Sequence, residues 1–196
     1  MRITLFDYGA GNLHSLAKAL AGAGRDLRID PDPSGALDTD VLVLPGVGAF
    51  GPAAARLAPG RDAMRQAILG GLPTLGICLG MQLLFDGSDE GAGAGLGIVP
   101  GRVTRLHAAQ LPQIGWNTLD EATDPAFAAS GFGTAYYANS FACRPGDPTL
   151  VTAWSTHEQD RFAAAVRLGD CLGVQFHPEK SSRPGLRFLD HFLGTL

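Results

Sequence analysis

The stretch "LPTLGICLGMQ", Leu72–Gln82, decides how this chain is read. Its first half is a short apolar run that reads as a buried strand. Its second half reads as the first turns of a helix. Cys78 stands at the switch, between Gly76 and Gly80, in the pattern Gly-x-Cys-x-Gly. Taken alone, such a cysteine is either a small buried hydrophobe or a nucleophile on a tight strand-to-helix turn, where flanking glycines leave room for a crowded backbone. At a helix N-terminus the dipole and free N–H groups favour a thiolate. The N–H of the next residue, Leu79, can also stabilise an oxyanion there. The segment by itself leaves both readings open.

Working outward, the chain before Cys78 alternates strand and helix. "RITLFD" (Arg2–Asp7) is β-rich, and "NLHSLAKALAGAG" puts Leu13, Leu16, Ala17 and Leu20 on one helical face, with Asn12 before it as a cap and Gly22 or Gly24 after it. "DLRID" is a second strand and "DVLVLPG" a third, a continuous apolar run of the kind buried on both faces of a parallel sheet. "RDAMRQAILGG" is an amphipathic helix closed by glycine. This order predicts an open, mostly parallel α/β sheet flanked by helices. After the Gly-rich acidic loop "LFDGSDEGAGAGLG" come short runs read as strands: "GIVPGRVTRL", "IGWNTL", "TAYYANSFAC", "TLVTAWS", "RFAAAVRL" and "CLGVQF". They are expected to be antiparallel additions and hairpins that return to the sheet. "PGLRFLDHFLGTL" closes the chain as a helix with Pro184 near its start. No internal repeat or linker divides the sequence, so residues 1–196 are expected to form one domain.

Composition narrows the function. Hydrophobic residues make up 45% and charged residues 17% of 196 residues, a globular balance with enough length for a full core. The net charge is −4 and no Lys/Arg cluster occurs, which argues against nucleic acid as a partner. No apolar run approaches the roughly 18–20 residues of a membrane helix. The first apolar run is too short for a signal peptide, so the expected location is cytoplasmic. Three cysteines, Cys78, Cys143 and Cys171, lack CxxC spacing, against a disulfide framework or a zinc site. No metal or cofactor is expected.

Ligands of an open parallel sheet bind beyond the carboxyl ends of its strands, and two other strand ends carry chemistry. "QFHPEKS" puts His177 and Glu179 two residues apart around Pro178, so that in extended chain they point the same way. A carboxylate beside an imidazole fixes its tautomer, and the imidazole can activate a thiol and protonate a leaving amine. On its own the pair is equally a solvated surface turn. Its place at the end of an apolar strand puts it at the same sheet edge as Cys78, which makes a Cys–His–Glu triad. "PGVG" (Pro45–Gly48) adds a turn able to offer N–H groups to an oxyanion. Gly46, Gly48 and Gly51 also satisfy G-x-G-x-x-G, but the motif follows the third strand, not the first, and lacks the acidic strand end of a dinucleotide site. Trp116 serves equally well as core or as an interface anchor.

Together, "DYGAGNLHSLAKAL", "PGVGAFG", "GICLGMQLLF", "IGWN" and "FHPEKSS" resemble the class I (triad) glutamine amidotransferases, and within them the glutaminase subunits of imidazole glycerol phosphate synthase. The resemblance runs from Asp7 to Ser182. It implies Cys78 as nucleophile, His177 as proton shuttle and Glu179 as its orienting group. It implies Gly46, Val47, Gly48 and Leu79 as the oxyanion hole. Gln82, Glu90, Ser140 and Phe141 match glutamine-contacting positions. Asn12, Trp116, Tyr136 and Lys180 match the interface with a (β/α)8-barrel cyclase subunit that would receive the ammonia. Where that family usually carries His, then Ser or Thr, then Tyr, this chain has Asn139, Ser140 and Phe141. Alternative readings are the glutaminase of another amidotransferase, a stand-alone cysteine amidase or peptidase, and a binding subunit with a misaligned triad.

Overall fold

The computed structural model describes every residue except Ala10, Asn12 and Leu196. In chain order the elements are β1 (Arg2–Phe6), α1 (His14–Leu20), β2 (Asp26–Asp30), β3 (Val41–Leu44), α2 (Phe50–Leu57), α3 (Arg61–Leu69), β4 (Thr74–Ile77) and α4 (Leu79–Gln82). There follow β5 (Gly87–Ser88), β6 (Gly101–Arg105), β7 (Gln113–Thr118), α5 (Pro125–Ser130), β8 (Thr134–Asn139) and β9 (Phe141–Pro145). Then come β10 (Val151–His157), β11 (Asp160–Leu168), β12 (Cys171–Val174) and α6 (Ser182–Gly194).

The central sheet has seven strands in the order β10-β11-β12-β4-β3-β1-β2. The pairings among β2, β1, β3, β4 and β12 are parallel, and β11 and β10 add an antiparallel edge. The continuous apolar runs serve both faces, because successive side chains point to opposite sides. In β3, Val41 and Val43 join the core beneath α1 and α6, with Leu16, Leu20, Phe188 and Phe192. Leu42 and Leu44 join the other core with Phe50 and Leu57 of α2 and Met64 and Ile68 of α3. Among the described residues no helix is long and apolar enough to cross a membrane.

The second half departs from expectation. Only β10, β11 and β12 return to the main sheet; β5-β6-β9 and β7-β8 form two small sheets of their own. "TAYYANSFAC" is not one strand but two, β8 paired with β7 and β9 paired with β6. Ser140 is the joint: its carbonyl accepts from Leu106 N–H at 2.9 Å, and the Asn139 side-chain amide donates across it to the Phe141 carbonyl at 3.0 Å. Two short helices were not expected. α5 carries its own signals, with Asp124 accepting from Ala126 N–H at 3.0 Å, Pro125 in the first turn and Gly131 at φ 65° behind it. α2 follows directly on the Pro45–Gly48 turn.

The helix after Cys78 is also shorter than its apolar run implied. α4 stops at Gln82 because the carbonyls of Leu83, Leu84 and Phe85 are taken by N–H groups of Leu96, Ile98 and Gly97 at 2.7–3.2 Å. The acidic loop is therefore pinned back onto the core rather than solvated throughout. Trp154 is half-buried, with the Arg161 guanidinium 4.4 Å from its ring centre.

Candidate active site

The sheet order β12-β4-β3 puts three chemically distinct strand ends side by side, with Cys78 in the middle. Cys78 N–H donates to Val174 O of β12 at 2.7 Å. The residue then turns sharply, with φ 49° and ψ −105°, into α4. That left-handed φ is strained for a residue with a side chain and is held only because the surroundings enforce it. The glycines explain how. A Cβ on Gly76 would lie 2.8 Å from the Gly80 carbonyl oxygen, and one on Gly80 would overlap the Leu44 carbonyl of β3. The turn is packed backbone against backbone, and no larger residue fits at either position.

His177 follows β12, and its ring Nδ1 lies 2.8 Å from Glu179 Oε1 with both side chains nearly buried. Burial disfavours the imidazolium. The charge of Cys78 and hydrogen bonding to it, and then the hydrogen bond and charge of Glu179, outweigh that effect and raise the His177 pKa from 6.5 to about 10. Cys78 and His177 meet at Gly46: a Cβ there would come 2.8 Å from both Cys78 Cβ and His177 Cε1. The main chain of this segment is tied to β8. His177 N–H donates to Tyr136 O at 2.8 Å, and Ser181 Oγ both donates to His177 O at 2.7 Å and accepts from Tyr136 N–H at 2.9 Å.

In front of Cys78 lies a cavity of about 290 Å³ lined by Gly46, Gly48, Leu79, Gln82, Glu90, Asn139, Ser140 and Phe141, among others. All four expected substrate-contacting residues thus share one cavity with the nucleophile candidate. Glu90 is exposed, and one of its carboxylate oxygens accepts from Phe50 N–H at 3.0 Å, at the start of α2. Of the expected oxyanion turn, Val47 differs: it lines a second cavity of about 220 Å³ behind the turn, with Leu13, Ser15, His177, Glu179 and Lys180. Its side chain packs against the loop before α1, where a Cβ on Gly11 would lie 2.7 Å from Val47 Cβ.

Two of the expected interface residues, Trp116 and Tyr136, meet directly. Trp116 on β7 is 55% exposed and its ring meets Tyr136 of β8 edge-on at 6.3 Å. Ile114 beside it is 67% exposed. Lys180 is exposed next to the His177–Glu179 segment. Asn12 lies outside the described residues. Arg105 and Gln175 escape the sequence reading, which takes Asn139 only as a departure from the usual family pattern. Arg105 lines the front cavity, and its side chain has no hydrogen bond or ion pair among the described residues. Asn139 also lines it, with a buried Oδ1 that no described group donates to. Gln175, fully buried, has its Nε2 3.5 Å from Cys78 Sγ. Their signal was thin: Arg105 reaches the cavity through the pairing of β6 with β9, Asn139 through its place at the end of β8, paired with Gln113 of β7, and Gln175 reads in sequence as one more residue of a strand end.

Comparison with known proteins agrees with this geometry. The family described as Glutamine amidotransferase class-I matches residues 4–195. The chain is 46% identical over 196 residues to the imidazole glycerol phosphate synthase subunit HisH of Symbiobacterium thermophilum, covering 96% of this chain and 91% of that one. It is 42% identical over 201 residues to the protein of the same name from Synechococcus sp. strain JA-3-3Ab, covering 98% and 93%. Among solved structures, PurLQS from Thermotoga maritima superposes with a TM-score of 0.73 at 21% identity, over 99% of this chain and 98% of that one, a likeness of fold.

Proposed function

The chain belongs to the class-I glutamine amidotransferase family, and from that premise we propose that it is the glutaminase subunit of an imidazole glycerol phosphate synthase, hydrolysing glutamine and delivering ammonia to a cyclase subunit. The observation that carries the reading is the sheet order β12-β4-β3, which sets Cys78 against an imidazole whose far nitrogen bonds Glu179. Residues 1–196 act as one amidotransferase domain, in a cytoplasmic heterodimer.

In this reading Cys78 Sγ attacks the side-chain carboxamide carbon of glutamine. The negative oxygen of the tetrahedral adduct is received by N–H groups of Leu79 and of the Gly46–Val47–Gly48 turn. His177 gives a proton to the departing nitrogen, which leaves as ammonia, and a thioester to Cys78 remains. Water, losing its proton to His177, attacks the thioester, and glutamate leaves as the Cys78–carbon bond breaks. Glu179 keeps the ring in the required tautomer and orientation and favours its charged form. Gln82, Glu90, Ser140 and Phe141 hold the amino-acid end, with Glu90 as the anion for the substrate ammonium.

The exposed pair Ile114 and Trp116, with Tyr136 and Lys180 beside it, supports docking of the cyclase, a (β/α)8 barrel, on this side. Asn12 is assigned to the same surface by resemblance alone. A stand-alone peptidase has no use for such a patch. The test is the Cys78→Ala variant assembled with the cyclase. Glutamine-dependent formation of imidazole glycerol phosphate is expected to vanish, and synthesis from added ammonia to persist. Undiminished use of glutamine by the variant overturns the assignment.

A further inference from the structure

Gln175 sits just beyond β12, two residues before His177, and none of its surface is exposed. Its main chain is anchored by an N–H bond to Ala164 O of β11 at 2.8 Å. Both ends of its side chain are engaged. Nε2 lies 3.5 Å from Cys78 Sγ, and Oε1 lies 3.3 Å from Gln82 Nε2. Gln82 Nε2 in turn lies 3.2 Å from the Phe141 carbonyl oxygen.

The direction of this chain follows from its one fixed end. A backbone carbonyl can only accept, so Gln82 must present its NH2 group to Phe141. The same NH2 group reaches Gln175, which must therefore present its oxygen. The NH2 group of Gln175 is left facing the sulfur. The thiol of Cys143, a group with a proton to give, lies 4.0 Å from the same Gln175 oxygen. Phe141 O is also held by the Asn139 amide at 3.0 Å, so the origin of the relay is braced from two sides.

We propose that Gln175 is a donor that holds the Cys78 sulfur as a thiolate, aimed by a hydrogen-bond relay from the Phe141 carbonyl through Gln82. The inference rests on the reading of Cys78 as the glutaminase nucleophile. A donor to a charged sulfur is worth more than one to a neutral thiol, so the relay favours the reactive form and fixes its direction in the strained turn. Its first two members, Phe141 and Gln82, line the front cavity. A substrate that binds there touches the atoms that set the donor, which joins recognition of the amino acid to readiness of the sulfur.

The test uses the full chain assembled with its cyclase and follows alkylation of Cys78 by iodoacetamide against pH, the labelled cysteine being located by peptide mass. Gln175→Met keeps the volume and removes the donor; Gln175→Glu keeps the shape and sets an acceptor in its place. Both are expected to move the alkylation profile to higher pH and to slow labelling at neutral pH by about tenfold or more. kcat for glutamine should fall further than KM rises. Gln82→Met should shift the profile in the wild-type background and add little on top of Gln175→Met. Profiles that overlay the wild type, with only thermal stability reduced, overturn the proposal, as do fully independent effects of the two substitutions. If the assembled wild type turns over no glutamine while the alkylation shift is still seen, the functional reading fails and the relay stands.

Discussion

His177 is the residue on which the most depends. Its pKa, raised to about 10, makes it a stabilising cation in the folded state, held by Cys78 and Glu179 against the cost of burial. A folded-state pKa above the unfolded one contributes stability that is complete below about 6.5 and is lost as pH climbs through about 10. Denaturant midpoints are therefore expected to decline from pH 7 to pH 10, and to decline less in Glu179→Gln, where the carboxylate charge is gone. The same variant should lower glutamine turnover by about 10²–10⁴-fold, the scale of general acid–base catalysis, in steady-state assays with the cyclase present. A neighbouring position gives a steric counterpart. Gly46→Ala would drive a methyl to 2.8 Å from both Cys78 Cβ and His177 Cε1. Glutaminase activity should collapse, with about 1–3 kcal/mol of overpacking strain visible in urea unfolding.

At the scale of elements, Gly80 sets two effects against each other. An alanine in place of a helical glycine gains about 1 kcal/mol of propensity. Here it would push a methyl into the Leu44 carbonyl of β3, and α4 is too short to move aside as a unit. Steric exclusion wins, so Gly80→Ala is expected to yield a chain that is unstable or insoluble, read from its melting temperature and soluble yield. The same elements show what could be read from sequence. β1, α1, β2, β3, α3 and β4 each matched a run whose pattern is local, a short β-rich or apolar run or periodic apolar spacing, with a closing glycine at α3; α1 ends at Ala21, short of the glycines expected to close it. The adjacency of Cys78, His177 and the Pro45–Gly48 turn was legible because each sits at the carboxyl end of a parallel strand. The two small sheets were not, because period-2 alternation marks a strand without naming its partner. The break at Ser140 was hidden for a similar reason, since Leu106, whose N–H holds the Ser140 carbonyl, lies outside the run. α5 was missed although Asp124, Pro125 and Gly131 announce it.

For the whole molecule, the active face and the proposed docking face share one strand. Tyr136 turns its ring toward Trp116, and its carbonyl receives the His177 N–H. Trp116→Ala should leave the free chain folded, with an unchanged melting temperature, because that ring is 55% exposed. It should weaken cyclase binding by about 2 kcal/mol or more, as expected for an aromatic anchor, measured by titration calorimetry. An equal loss of stability in the free chain would instead make Trp116 a structural residue.

The insertion of β12 between β4 and β11 has a consequence for how the protein comes into being. Cys171 to Val174 pair with Thr74 to Ile77, almost a hundred positions earlier in the chain. Pairings so distant are late events, since the intervening chain must be closed before they form. Domains emerging from the ribosome fold from the N-terminal side. A nascent chain, or one broken off before Cys171, would thus carry its sulfur with neither His177 nor Gln175 beside it. Glutamine cleavage can begin only once β12 has been made and paired, with Gln175 and His177 in place behind it.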